Sequence, residues 1–149
     1  MGKINYGRVL IGGLLAGVVL IVGELILNGL VVEEAWRAFM EQHGFPEETT
    51  GVMVLYFVTT ILFGIAIVLQ YALMRPRCGP GPKTAVSAGL MIWFVAWLLG
   101  FGGMGISMGI PTWLVLVSLA WGLVEVVLAA LAGGWAYKEE EAPAPVGAE

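Results

Sequence analysis

Two acidic residues stand inside otherwise apolar runs of this chain, each with small or polar company at helical spacing. Glu24 lies in "GELILNG", where the primary amide of Asn28 follows one helical turn later. Glu125 lies in "SLAWGLVEVV", Ser118 to Val127, with the Ser118 hydroxyl two turns before it. Residues three, four or seven apart share a helix face. Gly13, Gly17, Ile21, Glu24 and Asn28 therefore form one stripe, and Ser118, Gly122, Glu125, Ala129 and Gly133 form a second. Gly13-xxx-Gly17 and Ala129-xxx-Gly133 are small-xxx-small pairs that let another helix approach closely. Both glutamates are thus expected at helix–helix contacts rather than facing lipid.

Two chemistries suit that placement. A neutral carboxyl donates one hydrogen bond and holds two helices in register. An intramembrane carboxyl is also a candidate proton or cation site, with Glu24, Asn28, Ser118 and Glu125 as the polar set. Counting along ideal helices puts Glu24 in the outer part of a bilayer and Glu125 near its midplane, a depth difference on the order of 10 Å. On that count the carboxyls cannot share a proton directly, whereas Ser118 falls level with Glu24 and Asn28 can bond Glu24 along its own helix.

Other chemistry finds little support. No apolar segment contains His, so a bis-His haem inside a bundle has no ligands. Apart from Ser87, four residues after Lys83, the Ser and Thr residues lack a His or Lys base at helical spacing, and HExxH, Walker and GxGxxG patterns are missing. Cys78 is the lone cysteine, read as a turn residue, and no Cys/His spacing suits zinc. A net charge of −4 opposes nucleic-acid binding. Trp93, Trp97, Trp121 and Trp135 are read as packing or interface anchors. No enzyme activity, cofactor or metal is expected.

The elements that must position these residues are apolar helices. Of 149 residues, 59% are hydrophobic and 12% charged, and the mean hydropathy is +0.91, well outside the soluble range. A hydrocarbon core of about 30 Å needs about 20 helical residues. Four segments meet that length and are predicted to span at about 9–32, 52–73, 85–106 and 113–137, an all-α integral membrane bundle. The first is read as a retained helix, since no A-x-A site ends it. Lys3, Arg8, Arg75, Arg77, Lys83 and Lys138 fall on one side and Arg37 on the other. The positive-inside rule then places both termini in the cytoplasm of a bacterial inner-membrane protein.

The connections carry their own patterns. Trp36, Phe39, Met40 and His43 recur on one face, opposite Glu33, Glu34, Arg37 and Glu41, which predicts a short amphipathic helix at about 33–43. Trp36, Phe39 and Met40 are expected at the membrane interface, either as a spacer or as a lid. The prolines and glycines of "RPRCGPGPK" are expected to end the second span as a tight basic turn. "GFGGMGISMGIP", Gly100 to Pro111, is read as an outer loop or a re-entrant element. The tail at 138–149, "KEEEAPAPVGAE", is expected to be disordered. "TILFGIAIVL" and "SLAWGLVEVV" echo each other weakly, as two duplicated hairpins would.

Small multidrug-resistance transporters are similar in having four short helices with a membrane glutamate in the first. The late position of Glu24, the second acid at Glu125 and the long acidic connection depart from that pattern. The overall plan more closely resembles uncharacterised bacterial four-helix membrane proteins of the DUF1761 type, through "EEAWRAFM" and the small-residue-rich last helix, over Ile11 to Tyr137. That likeness implies architecture and no activity. Two functions follow as expectations. One is a structural, accessory or assembly component acting through helix–helix contacts, with the lipid bilayer and a larger membrane complex or a second copy as partners. The other is a small oligomeric proton- or cation-coupled transporter using Glu24 and Glu125.

Overall fold

The computed structural model describes residues 4–46 and 49–139. Helix α1 spans Tyr6–Ile26 and continues as a π-helical segment, Leu27–Val31; α2 spans Glu33–Gln42 and α3 Thr50–Cys78. Helix α4 spans Pro82–Trp93 and runs through a second π segment, Phe94–Phe101, into α5, Gly102–Met108; α6 spans Thr112–Ala136. Among the described residues there is no strand. Four continuous helical stretches, Tyr6–Val31, Thr50–Cys78, Pro82–Met108 and Thr112–Ala136, are long and apolar enough to cross a membrane. The all-α four-span architecture and the short helix between the first two spans are as the sequence predicts.

The helix ends follow from local chemistry. Asn5 caps α1 by accepting from the Arg8 N–H at 3.0 Å, and Pro82 opens α4, where its missing N–H costs nothing. Helix α3 ends within "RPRCGPGPK" as expected, but Pro76 does not end it, lying inside its last turn. A proline there removes a single backbone bond. The helix stops instead at Gly79, whose φ of 79° suits glycine. The Gly100–Pro111 stretch is likewise neither loop nor re-entrant: it stays helical to Met108 and stops at Gly109, φ 66°. The Ile110 N–H bonds back to the Gly105 carbonyl at 3.0 Å, closing the end as a left-handed glycine stop does. Each glycine weakens a helix by about 1 kcal/mol, but backbone at membrane depth has no water to bond.

The core divides in two. Toward the end carrying Arg75 and Arg77, the basic end, Ala16, Leu20, Ile67, Val68, Ala88, Val126 and Ala130 pack against one another from α1, α3, α4 and α6. At the opposite end, α2 folds over the bundle as a lid. Its Phe39 is buried with Leu27, Val32, Ile110 and Leu114, and Trp36 and Met40 pack against that group. Of the two readings of Trp36, Phe39 and Met40, spacer or lid, the packing is that of a lid. The apolar face of α2 meets protein, with the Trp36 ring against Phe101 at 6.4 Å.

The basic end is closed by aromatics. The Arg75 guanidinium lies over the rings of Tyr71 and Tyr137, at 5.7 and 5.3 Å, and its Nε pairs with Glu139 at 3.4 Å. Tyr137 is buried and accepts from the Asn5 N–H at 3.4 Å. The chain is therefore still ordered at Lys138 and Glu139, where the disordered tail was expected to begin. The rest of that tail, 140–149, lies outside the described residues.

Candidate intramembrane carboxyl site

Helices α1 and α6 run antiparallel, in a register that sets Gly12 beside Gly133 and Gly23 beside Trp121. The Trp121 indole N–H donates to the Gly23 carbonyl at 3.1 Å. That register leaves the backbones of Glu24 and Glu125 about one helical turn apart in height. Their carboxyls nevertheless face each other, which overturns the expectation that depth keeps them apart. Side chains on a helix lean toward its N-terminus. In antiparallel helices these two lean toward one another, and each covers part of the gap. Gly23 completes the approach, because the Glu125 carboxyl occupies the space that a Cβ at position 23 would need.

The two acids are not equivalent. Glu125 is 4% exposed, and among the described residues neither of its carboxyl oxygens accepts a hydrogen bond, the Glu24 carboxyl and the Trp121 indole being the polar groups beside it. Glu24 is half-buried rather than enclosed as the stripe suggested. Its Oε2 accepts from the Asn28 amide at 2.6 Å, and the same amide donates to the Glu24 backbone carbonyl at 3.0 Å. Asn28 sits in the first π segment, a form of helix that often marks functional sites. From α3, Tyr56 lies on the flank of Glu24, and among the described residues no hydrogen bond joins its hydroxyl to either acid. The cluster thus gathers two carboxyls and an amide, with a phenol close by.

Ser118 is buried, but among the described residues no hydrogen bond joins it to Glu24. The packing glycines are used within the chain. Gly13 and Gly17 face α3, where Gly64 lies directly on the Gly13 carbonyl and the Gly17 N–H. Gly133 meets Gly12 and Val68, and Gly122 forms the seat of the Trp97 indole. Ala129 is wholly buried. Trp97 also meets Phe63 edge-on at 5.4 Å, and Trp93 donates to the Leu119 carbonyl at 3.0 Å, so three tryptophans fasten α6 around the site.

Sequence reasoning missed Tyr56, Gly12 and Gly64. Gly12 has Gly133 as its partner, but one glycine beside another in "IGGLL" does not say which faces α6. Tyr56 lies close to the acids, and in a span without charge nothing marked it out. Toward the lid, a crevice of about 660 Å³ lined by Leu30, Val31, Glu33, Glu34, Ala38 and Trp113 opens beside the first π segment.

No protein-family model, curated protein or solved structure matches this chain.

Proposed function

We propose that this chain is a small ion-coupled membrane protein that binds and releases a proton or a monovalent cation at the Glu24–Glu125 pair. In this reading it sits in a bacterial inner membrane with both termini cytoplasmic, as the distribution of Lys and Arg supports. The observation that carries the proposal is Glu125, a buried carboxyl with both oxygens unpartnered. Leaving a buried polar group unsatisfied costs about 1–3 kcal/mol, a cost that a proton or cation shared with the facing Glu24 carboxyl would remove. A second carboxyl facing it supplies the negative charge that a proton or cation would bridge.

The test is flux from reconstituted vesicles. Wild-type protein should dissipate an imposed proton, sodium or potassium gradient, and Glu125→Gln should slow that by at least tenfold while remaining folded. A wild type that moves none of the three ions between pH 5 and 8 would end this reading.

An accessory or assembly role has one observation in its favour. An apolar groove of about 380 Å³ between the second π segment, α5 and α6, lined by Leu98, Leu99, Gly102, Gly103, Ile106 and Leu119, is left uncovered. A partner helix or a second copy would fit such a groove. Native mass after extraction in mild detergent separates the readings: larger membrane proteins in fixed stoichiometry favour assembly, and a lone chain or small homo-oligomer favours exchange.

A further inference from the structure

Among the described Lys and Arg residues, only Arg75 is drawn into the bundle; Arg8, Arg37, Arg77, Lys83 and Lys138 are exposed. The Arg75 side chain is 15% exposed, and a charge taken that far from water is costly unless paired and hydrogen-bonded. Its guanidinium lies in the seam between α3 and the end of α6, over the rings of Tyr71 and Tyr137. Both rings are themselves pinned. The Tyr71 hydroxyl accepts from the Gly81 N–H at 3.2 Å, the Tyr137 hydroxyl from the Asn5 N–H, and the rings meet edge-on at 6.0 Å. Asn5 caps α1 and Gly81 caps α4, so the seat of Arg75 touches the ends of all four spans.

This seat lacks a well-bonded anion. Cation–π contact stabilises a guanidinium without using its N–H donors. Glu139 approaches Nε at 3.4 Å, but the pair is not aligned as a hydrogen bond, and Nε is buried without a bonded partner. Among the described residues neither Nη donates a hydrogen bond. Glu139 follows α6 by three residues and is 30% exposed. It balances the charge and leaves the donors unsatisfied. A guanidinium offers five donors in a planar fork that matches a phosphate. Arg75 also follows directly on the apolar Ala72, Leu73 and Met74, at the level where a span gives way to headgroups. Basic pockets between spanning helices at that level bind anionic headgroups.

We propose that the Arg75 seat takes the phosphate of an anionic phospholipid headgroup, with Glu139 as the displaceable anion that holds the place when no lipid is bound. The lipid replaces a misaligned ion pair with charge-assisted bonds from the fork. The seat lies at the end of the bundle away from Glu24 and Glu125, and nothing in it depends on ion exchange there.

The experiment is native mass spectrometry of the full chain in mild detergent, titrated with phosphatidylglycerol, phosphatidylcholine and inorganic phosphate. Wild-type protein should retain one phosphatidylglycerol about fivefold more tightly than phosphatidylcholine. Arg75→Gln should weaken phosphatidylglycerol binding about tenfold, and Arg77→Gln, at an exposed cation of the same end, by no more than about twofold. Glu139→Gln, combined with Glu140→Gln and Glu141→Gln so that no neighbouring acid takes its place, should tighten binding about threefold. In an Arg75→Gln background the same removal of acids should give no gain. Equal losses from Arg75→Gln and Arg77→Gln would mean general attraction to a basic surface and would overturn the seat. A gain that persists without Arg75 overturns it too, as does lipid displaced by inorganic phosphate at equal concentration, which would mark a site for a free anion. The acid-free variant keeps Arg75 and both rings in place, so it decides the matter even where Arg75→Gln fails to fold: no tightening there overturns the proposal.

Discussion

The two halves of this bundle are built on opposite plans. Toward the basic end, helices meet backbone to backbone: Gly64 lies on Gly13 and Gly17, Gly133 on Gly12, and the residues between are wholly buried. Arg75, Tyr71 and Tyr137 close that end. Toward the lid, polar groups sit among the helices, two stretches adopt the wider π form, and α3 adds no residue to the buried core. Small residues give close contact and leave no room to move. The lid-end half gives up that tightness to hold two acids. Close packing and buried polar groups thus lie in different halves of the bundle.

Substitutions can break or sharpen that contrast. The largest stability effect is expected at Gly64→Ala, whose added Cβ would collide with the Gly13 carbonyl and the Gly17 N–H. It should lower stability by about 2–3 kcal/mol in a reversible detergent-unfolding titration. Gly103, where a Cβ meets nothing, is the control. If Gly103→Ala costs as much, the basic-end half is not specially tight.

Glu125→Met should act in the opposite direction. Replacing an unpartnered buried carboxyl with an apolar side chain of similar size should raise stability by about 1–2 kcal/mol in the same titration, and it should also abolish flux. A variant less stable than wild type would mean that the carboxyl has a structural bond after all. The smallest effect is expected at Trp121→Phe, which removes the indole donor to the Gly23 carbonyl. A loss of about 1 kcal/mol is expected, and a larger one would show that this bond, rather than the glycine contacts, holds α6 to α1.

The spans were legible because hydropathy over 20 residues averages out local detail, and their lengths follow from bilayer thickness. The errors came from local signals that membrane depth overrides. Glycines from Gly100 to Gly109 and the proline at position 76 read as breakers, yet the helix continues through most of them because an unbonded backbone in lipid is costlier than a poor helix former. At the candidate site, both acids and Asn28 were visible as polar residues in apolar runs. Their meeting was not, because counting rise along an axis follows backbones and ignores which way side chains lean. Tyr56 was hidden for a different reason: the acids beside it lie on other helices, and no spacing within one segment reports that.

The depth of Glu125 also has an electrical consequence. Glu125 lies 13 residues from Thr112 and 11 from Ala136, about 20 and 17 Å along α6, near the middle of its span. In the exchange reading, an ion reaching it from either side would cross about half of the membrane potential, roughly 1.2 kcal/mol per charge for each 100 mV. Occupancy of the pair should therefore respond to voltage to a similar degree from both faces.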